Sequence, residues 1–185
     1  PKGQPLGLLV HLGMTGRLDV VDSDAPLVDH THLRLTFADG RELRFVDPRR
    51  FGGLRVASRA QLAARAPLRE LGPEPLDPGF DGAVLQERLG KSRRVLRDGL
   101  LDQRVVAGLG NIYVSEALYE AGLHPLLRAT RLRPSAWSRL ADATRLVLER
   151  AIANGGTTLR DYRGVDGEQG RNQLALQAYG RAGLP

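Results

Sequence analysis

The chain has 185 residues, and its content of 42% apolar and 26% charged residues is typical of a globular protein with a hydrophobic core. It contains no cysteine, which excludes a disulfide, a thiolate nucleophile and a cysteine-ligated zinc site formed by this chain alone. The net charge of +6 favours an acidic partner, nucleic acid first, although a GC-rich coding bias toward arginine would give the same charge.

The first third of the chain is predicted to be an antiparallel β unit. Asp39-Gly40 is a hairpin signal between an alternating segment and a return strand. This pattern predicts paired strands over residues 1–57, followed by a short helix at 61–65. The strand-like segments before and after the hairpin are residues 6–10, 18–21, 33–37 and 54–57.

A change of period marks the second part of the chain. Three prolines within residues 71–78 predict a linker, so the expected domains are residues 1–72 and 73–185. Beyond the linker the apolar residues recur at helical spacing. The first two helices are marked by Phe80, Val84, Leu85 and Leu89, then by Val95, Leu96, Leu100 and Leu101.

The stretch Gly108-Leu109-Gly110-Asn111 is a candidate anion site. Its glycines allow a tight turn, and Asn111 is expected to cap a helix over residues 112–121. A helix start presents N–H groups and the positive end of the helix dipole to a phosphate. An ordinary loop capped by asparagine is the alternative.

The last third of the chain is predicted to hold one long helix and a final strand. Pro134 suits the first turn of a helix, and Asn154-Gly155-Gly156 is a typical helix end. Leu174, Leu176 and Ala178 alternate like a short strand. The apolar stripe of the long helix comprises Trp137, Leu140, Thr144, Val147, Leu148 and Ile152.

His30 and His32 have the spacing of a metal pair on one strand face, but no carboxylate or cysteine partner is evident, so no metal site is expected. No apolar run approaches membrane-spanning length, and no signal peptide is visible. We therefore expect an intracellular protein, in the cytoplasm or nucleoid, that does not contact a membrane.

Six motifs follow one another along the chain. They begin at His11, Asp47, Leu71, Gly108, Gly155 and Tyr179, and they read HLGMTG, DPRRFG, LGPEPL, GLGNIY, GGTTLRD and YGR. Together they resemble the formamidopyrimidine-DNA glycosylases, which excise oxidised purines such as 8-oxoguanine. Any one motif is modest, whereas six in register are specific and cover essentially the whole chain.

The resemblance implies an α+β fold, in which part of an antiparallel β-sandwich is followed by a helix–two-turn–helix domain. The family continues into a C-terminal zinc finger beyond this chain, so the resemblance implies zinc for the intact protein and no cofactor or metal within these residues. Damaged double-stranded DNA, running through the cleft between the first two domains, is the implied partner of a monomeric enzyme.

The resemblance also implies roles for individual residues. Met14, Arg49 and Phe51 match three side chains that enter the duplex after the damaged nucleotide leaves. Residues implied to bind DNA are His11, His30, Arg49, Arg93, Asn111 and Tyr179. Residues implied to lie in a loop that covers the flipped base are Thr157, Thr158, Arg160, Asp161 and Tyr162.

The residue types of this trio suit such a role. Unstacking a base costs about a few kcal/mol. A flexible methionine can fill the vacated space, a phenylalanine can wedge beside the partner strand, and an arginine can bond the orphaned cytosine. The alternative for Met14 and Phe51 is plain core packing.

The chain departs from the family pattern at the chemical step. The family nucleophile is an N-terminal proline amine followed by glutamate, whereas Pro1 here is followed by lysine and lies too close to Met14. No catalytic residue is therefore assigned within this chain, and we expect it to have no excision activity by itself. Arg97 stands where relatives often have lysine, and Arg171-Asn172 replaces the aromatic-containing residues usual in the lesion loop.

Several functions are compatible with these observations. The resemblance implies a bifunctional DNA glycosylase and AP lyase of base-excision repair that removes 8-oxoguanine and formamidopyrimidines. The nearest alternative is the sister branch of endonuclease VIII-like enzymes for oxidised pyrimidines, and the motif at residues 47–52 favours the purine branch. A non-catalytic DNA- or RNA-binding module, or a soluble domain whose basic face reflects coding bias, would also fit.

Overall fold

A computed structural model describes residues 5–157 and 170–181 of the chain, which groups into two units. Unit 1 comprises Pro1–Arg65 and Asn154–Gln173, and unit 2 comprises Ala66–Ala153 and Leu174–Pro185. The strands lie in unit 1, and all but one of the α-helices described lie in unit 2. In the described part of the chain, no helix is both long and apolar enough to cross a membrane.

Unit 1 is built from two antiparallel sheets, as the alternating pattern predicted. One sheet pairs β1 with β5, and the other has the order β2-β4-β3. The short helix α1, Arg59–Ala63, follows β5 directly. The strands are β1 Leu6–His11, β2 Arg17–Asp22, β3 Thr31–Thr36, β4 Arg41–Val46 and β5 Gly53–Ser58.

The hairpin between β3 and β4 follows from its glycine. Gly40 has φ 85°, and its N–H donates to Phe37 O at 3.2 Å. The Phe37 N–H donates to Arg41 O at 2.8 Å, which closes a loop of residues 38–40. A left-handed glycine at the third loop position is the usual chemistry of a hairpin of this length.

The central strand β4 is buried on both faces. Sequence alternation placed Leu43 and Phe45 on the inner face, yet the exposed fractions of Glu42 and Arg44 are only 1% and 2%. Arg44 donates from Nε to Glu42 Oε1 at 2.6 Å, and its terminal nitrogens donate to the Ala25 and Pro26 carbonyls. Buried charges are tolerated because each is paired and hydrogen-bonded.

Unit 2 packs helices around a core that includes Trp137, which is 1% exposed. The helices are α2 Gly82–Leu89, α3 Leu96–Leu101, α4 Asn111–Glu120 and α5 Pro134–Ala153. The α4 and α2 helices both contact α5. Buried core residues of these helices include Leu85, Leu89, Leu96, Leu100, Val114, Leu118, Leu140 and Ala141.

Two details of the helices differ from the sequence-based expectation. Phe80 and Val95 precede their helices, because Asp81 caps α2 by accepting from Val84 N at 2.9 Å and Val95 occupies the N-cap of α3. Ile152 was assigned to the apolar stripe of α5 but is 63% exposed. It lies in the last turn of α5, where the stripe has rotated away from the core.

The final strand predicted at residues 174–178 is wrong. Asn172–Ala175 forms a 3-10 helix, with Leu174 81% exposed and Leu176 buried. The backbone N–H groups of the residues after Leu176 bond to a carboxylate rather than to another strand. The alternation of apolar residues at 174–178 therefore belongs to a 3-10 helix and a turn, and not to a strand.

Candidate nucleic-acid interface

Met14, Arg49 and Phe51 form a solvent-exposed cluster in unit 1, called the exposed cluster below. Met14 is 73% exposed and Phe51 55% exposed, so neither packs into the core. The Arg49 guanidinium carbon lies 4.7 Å from the centroid of the Phe51 ring, and Arg49 Nη1 lies 3.7 Å from Met14 Sδ. The structure thus brings Met14 together with Arg49, which is 35 positions away in the sequence, and with the neighbouring Phe51.

Two loops carry the exposed cluster. The 12–16 loop joins β1 to β2 and holds Met14, while the 48–52 loop joins β4 to β5 and holds Arg49 and Phe51. The loops touch through their backbones, because a Cβ on Gly13 would lie 2.8 Å from the Phe51 carbonyl carbon. Gly13 also has φ 63°, so glycine is required there for both conformation and space.

Asp47, at the end of β4, bonds to both loops. Its carboxylate accepts from Thr15 Oγ1 at 2.8 Å and from the Gly52 N–H at 2.7 Å. The Gly52 hydrogen bond, aided by Thr15, lowers the pKa of Asp47 below its ordinary value even though burial acts the other way. The carboxylate is therefore held in its charged form.

The histidines of unit 1 lie around the same strand ends. His11 is exposed at the last position of β1, opposite Gly53. His30 is exposed, has φ 64°, and accepts from Asp47 N through its carbonyl at 3.0 Å. His32 Nε2 donates to the Asp47 carbonyl at 2.9 Å. No group of three or more potential metal ligands occurs within residues 5–157 and 170–181.

In unit 2, the loop between α3 and α4 is held by a side chain that sequence reasoning did not single out. Gln103 Oε1 accepts from Gly108 N at 2.8 Å, and its Nε2 donates to the Leu109 carbonyl at 2.8 Å. Gly108 has φ 81°, as a tight turn requires. A single amide side chain thus satisfies a donor and an acceptor of the turn that leads into α4.

Asn111 is the first residue of α4, and the prediction that it caps the helix is wrong. Gly110 occupies the N-cap, and no side chain caps this end among the described residues. Instead, Asn111 Oδ1 accepts from Arg97 Nη2 at 3.2 Å, and its carbonyl accepts from Ser115 Oγ at 2.8 Å. The exposed Asn111 amide and the Arg97 guanidinium therefore form one polar group at the start of α4.

A cavity of about 500 Å³ lies in unit 2. It combines two guanidinium groups and two phenols with apolar side chains that include Leu118, at the end of α4. The residues that line it are Arg97, Ser115, Leu118, Tyr119, Leu123, His124, Pro125, Leu126, Ala178, Tyr179, Gly180 and Arg181.

Glu116 of α4 holds the turn that forms one wall of this cavity. It is 5% exposed, and its carboxylate accepts three backbone hydrogen bonds from consecutive residues. The donors are Gln177 N at 2.8 Å, Ala178 N at 2.8 Å and Tyr179 N at 2.7 Å. Tyr179, whose side chain is implied to contact DNA, is therefore attached to the same helix that begins at Asn111.

Arg93 is exposed in the segment between α2 and α3, beside a network of paired charges. Asp102 accepts from Arg104 at 3.0 Å and from Arg94 at 3.0 Å. The Arg104 guanidinium, with help from Arg94, holds the pKa of Asp102 well below its usual range. This pairing neutralises part of the basic segment but leaves Arg93 outside it.

Of the residues expected in the loop over the flipped base, Thr157 is described, and Thr158, Arg160, Asp161 and Tyr162 lie outside the described residues. Thr157 is buried and accepts from Asn172 Nδ2 at 2.7 Å. Asn172 Oδ1 accepts in turn from Asn154 Nδ2 at 3.2 Å. Asn172 is thus a buried structural residue, 3% exposed, rather than a candidate for base contact.

Three residues with positioning contacts were missed: Asp47, Gln103 and Glu116. Their amino-acid types are common on surfaces, so no single-residue signal marks them. Asp47 lies inside the motif at residues 47–52, whereas Gln103 and Glu116 lie within a few residues of the motif at 108–113. A polar residue next to a glycine turn is a candidate to satisfy the turn's backbone groups.

Both parts of the chain match domains of one protein family. The sequence profile of the Formamidopyrimidine-DNA glycosylase H2TH domain matches residues 71–163. The profile of the Formamidopyrimidine-DNA glycosylase N-terminal domain matches residues 3–54. The two matches together include every residue of the exposed cluster and the start of α4.

The chain is similar to individual proteins over almost its full length. It is 51% identical over 178 residues to the formamidopyrimidine-DNA glycosylase of Moorella thermoacetica, covering 96% of this chain and 65% of that relative. The Lactococcus lactis Fpg in complex with an abasic site containing DNA matches with a TM-score of 0.87 and 37% identity, over 96% of this chain and 65% of that one.

A further Lactococcus lactis Fpg structure, a mutant in complex with a Fapy-dG containing DNA, matches with a TM-score of 0.87 and 36% identity. It covers 96% of this chain and 65% of that chain. The chain thus spans about two thirds of the length of the relatives that it matches.

Proposed function

The chain belongs to the formamidopyrimidine-DNA glycosylase family, and on this premise we propose that it is the DNA-holding part of a base-excision-repair enzyme for oxidised purines. In this proposal the enzyme removes 8-oxoguanine and formamidopyrimidines from double-stranded DNA and then cleaves the abasic site as a lyase. The relatives' names and the lesions in their solved complexes support the substrate class. We extend the proposal to a monomeric, intracellular protein.

The observation that carries this proposal is the exposed cluster. A protein that flips a nucleotide needs side chains that enter the stack, and such wedges are apolar and lie outside the core. Met14 and Phe51 are largely exposed, although core packing would have buried them. Arg49 lies between them, with donors that can bond the base left without its partner.

The remaining predicted contacts suit the DNA backbone. Arg93 and the Arg97–Asn111 pair offer guanidinium and amide donors to phosphates, and Tyr179 offers a phenol. The first turn of α4 adds the positive end of a helix dipole. His11 and His30 are exposed at strand ends in unit 1 and complete the proposed set of phosphate contacts.

Chemistry beyond binding is not assigned to these residues. The exposed cluster and the phosphate contacts hold and distort DNA, whereas the family's nucleophile is an N-terminal proline followed by glutamate, a pair that Pro1-Lys2 does not match. Zinc belongs to a four-cysteine finger in the family, and a chain without cysteine does not fit that ligand set. The proposed function therefore assigns no role to zinc in this chain.

The proposal is tested by binding. The 185-residue chain is titrated against two duplexes that differ only by one abasic-site analogue. Because an abasic site has no base to unstack, we expect binding about tenfold tighter than to the undamaged duplex, and binding that weakens as salt rises. Equal affinity for the two duplexes, or affinity independent of salt, would contradict the proposal.

A second assay tests the chemical limit. The chain is incubated with a duplex containing 8-oxoguanine, and borohydride is added to trap any covalent adduct. We expect neither strand cleavage nor an adduct. Appearance of both would place a competent amine within these residues and would overturn the assignment of binding alone.

A further inference from the structure

Asp47 is a fully buried carboxylate that bonds both loops of the exposed cluster. Its exposed fraction is 0%, and its two oxygens accept from Thr15 Oγ1 at 2.8 Å and from Gly52 N at 2.7 Å. Thr15 follows Met14 directly, and Gly52 follows Phe51 directly. Each hydrogen bond thus holds a residue that is next in sequence to an exposed apolar side chain, through the hydroxyl of Thr15 and through the backbone N–H of Gly52.

The main chain of Asp47 is fixed as well. Its N–H donates to the His30 carbonyl at 3.0 Å, and its carbonyl accepts from His32 Nε2 at 2.9 Å and from Arg50 N at 3.2 Å. These bonds attach Asp47 to the start of β3 and to the 48–52 loop. The carboxylate therefore projects from a strand end whose main chain is hydrogen-bonded. Through it, both loops are attached to the sheet that contains β4.

Contacts within the exposed cluster are too weak to align it alone. The Arg49–Phe51 contact at 4.7 Å and the Arg49–Met14 contact at 3.7 Å are both exposed to water. An exposed cation–π contact is weak, because water competes for the cation. The relative position of the three side chains must come from the backbones that carry them.

On the premise of the proposed function, we propose that Asp47 is the positioning residue of the exposed cluster. It touches no DNA itself and acts through Thr15 and Gly52, so that Met14, Arg49 and Phe51 are aligned before DNA arrives. Side chains that are preorganised lose less conformational entropy on binding. Loss of Asp47 should therefore weaken the step that fills the space of a missing base, and not the phosphate contacts.

The test uses two variants and two matched controls in the 185-residue chain. Asp47→Asn keeps the shape but puts an amide donor where an oxygen accepted, and Thr15→Val removes only the hydroxyl. Asp39→Asn makes the same charge change at the tip of the β3–β4 hairpin, where Asp39 bonds only Arg41 among the described residues. Thr15→Ser retains the hydroxyl that donates to Asp47, so it should behave like the unsubstituted chain.

The first measurement is the ratio of affinities for abasic-analogue and undamaged duplexes. We expect this ratio to fall about tenfold in Asp47→Asn and about threefold in Thr15→Val, with undamaged-duplex affinity unchanged. Asp39→Asn and Thr15→Ser should keep the original ratio. A nuclear magnetic resonance spectrum of methyl-labelled methionine gives a second measurement, because Met14 is the only methionine. Its resonance should move toward that of an unstructured peptide in both variants.

The outcomes separate this inference from the function on which it rests. If the unsubstituted chain does not prefer the abasic duplex, the proposed function fails and this inference with it. If that preference exists and persists in Asp47→Asn and Thr15→Val, only the inference fails. Should Asp47→Asn not fold, Thr15→Val decides alone, and equal losses on both duplexes would contradict a positioning role.

Discussion

Asp47 in unit 1 and Glu116 in unit 2 are both buried carboxylates that accept backbone N–H groups, yet they shape different surfaces. Asp47 divides its two oxygens between two loops, which project Met14 and Phe51 into solvent. Glu116 gives both oxygens to three consecutive N–H groups of one turn, which lines a cavity with Tyr179.

The difference shows how one interaction can produce a protrusion or a recess. The two loops that bond the Asp47 carboxylate are held near their ends, and their tips stay in solvent. The apolar side chains at these tips therefore remain outside the core. A turn whose N–H groups all point at one acceptor is drawn onto its helix, so its side chains line the surface beside it. Hydrogen bonds to a charged group are strong enough for either task, at ~1.5–3 kcal/mol each.

The largest expected effect is on the unit 2 side of this comparison. Glu116→Gln keeps the volume but turns an amide NH₂ toward backbone N–H donors, so at least one buried donor loses its acceptor. We expect the free energy of unfolding to fall by about 3 kcal/mol. Urea unfolding followed by the fluorescence of Trp137, the only tryptophan and 1% exposed, measures it.

Glu120→Gln is the matched control for Glu116→Gln, because Glu120 is exposed on the same helix and pairs only with Arg150 at 3.6 Å among the described residues. An exposed pair of this kind contributes ~0–1 kcal/mol. If the two glutamine variants unfold at the same urea concentration, the three hydrogen bonds to Glu116 add no more stability than an exposed ion pair. Glu116 would then not be the group that holds the turn.

The next effect concerns the contact between the two loops of unit 1. Gly13→Ala places a Cβ 2.8 Å from the Phe51 carbonyl carbon at φ 63°, whereas Gly40→Ala meets no atom within 4 Å at φ 85°. We expect losses of about 3 kcal/mol for Gly13→Ala and about 1 kcal/mol for Gly40→Ala. Equal losses in urea unfolding would show that the loops are not in backbone contact.

Acid should affect unit 1 through Glu42. Hydrogen bonds from Arg34 and Arg44 lower the pKa of Glu42 from 4.5 to about 2. A lowered folded-state pKa means that this contribution to stability is complete above pH 4.5 and is lost as the pH falls toward 2. Urea midpoints by circular dichroism should therefore decrease over this interval.

Glu42→Gln tests the origin of that pH dependence. Because glutamine does not titrate, the variant should be less stable at neutral pH and its urea midpoint should change less between pH 4.5 and 2. The lowered pKa of Asp47 adds a dependence of the same sign, which remains in the variant. A variant whose pH dependence equals that of the unsubstituted chain would rule out Glu42 as the group responsible.

The smallest expected effect isolates a single hydroxyl in unit 2. Tyr179→Phe leaves the backbone bond to Glu116 in place, so stability should change by no more than ~0.5 kcal/mol. Duplex affinity should fall about fivefold if the phenol bonds a phosphate. Affinity unchanged within error would remove Tyr179 from the proposed contacts, while the turn held by Glu116 would stand.

Sequence patterns predicted most of the fold. The alternation at residues 33–37 and the Asp39-Gly40 turn were sufficient for the antiparallel strands, because a half-buried strand repeats every two residues. The same rule failed at residues 174–178, where three N–H groups satisfied by Glu116 made a turn more favourable than a strand. A long-range acceptor of this kind leaves no local trace.

For the candidate site, the sequence suggested which residues to examine but not which groups hold them in position. Motif resemblance identified Met14, Arg49 and Phe51, and the structure brings them together. It could not identify Asp47 or Gln103 as the groups that hold the turns, because their partners are backbone atoms that look alike in any sequence. The prediction that Asn111 caps the helix was wrong for a different reason, because its side-chain partner, Arg97, lies 14 residues away in the sequence.

The exposure of Met14 has a chemical consequence for a protein proposed to handle oxidised DNA. Its thioether is 73% exposed and belongs to the only methionine of the chain. Oxidants convert such a group to a sulfoxide, which is polar and which reductases can restore. The conditions that damage guanine would thus also oxidise the sulfur of Met14. This sulfur lies at the tip of the surface that we propose enters the duplex.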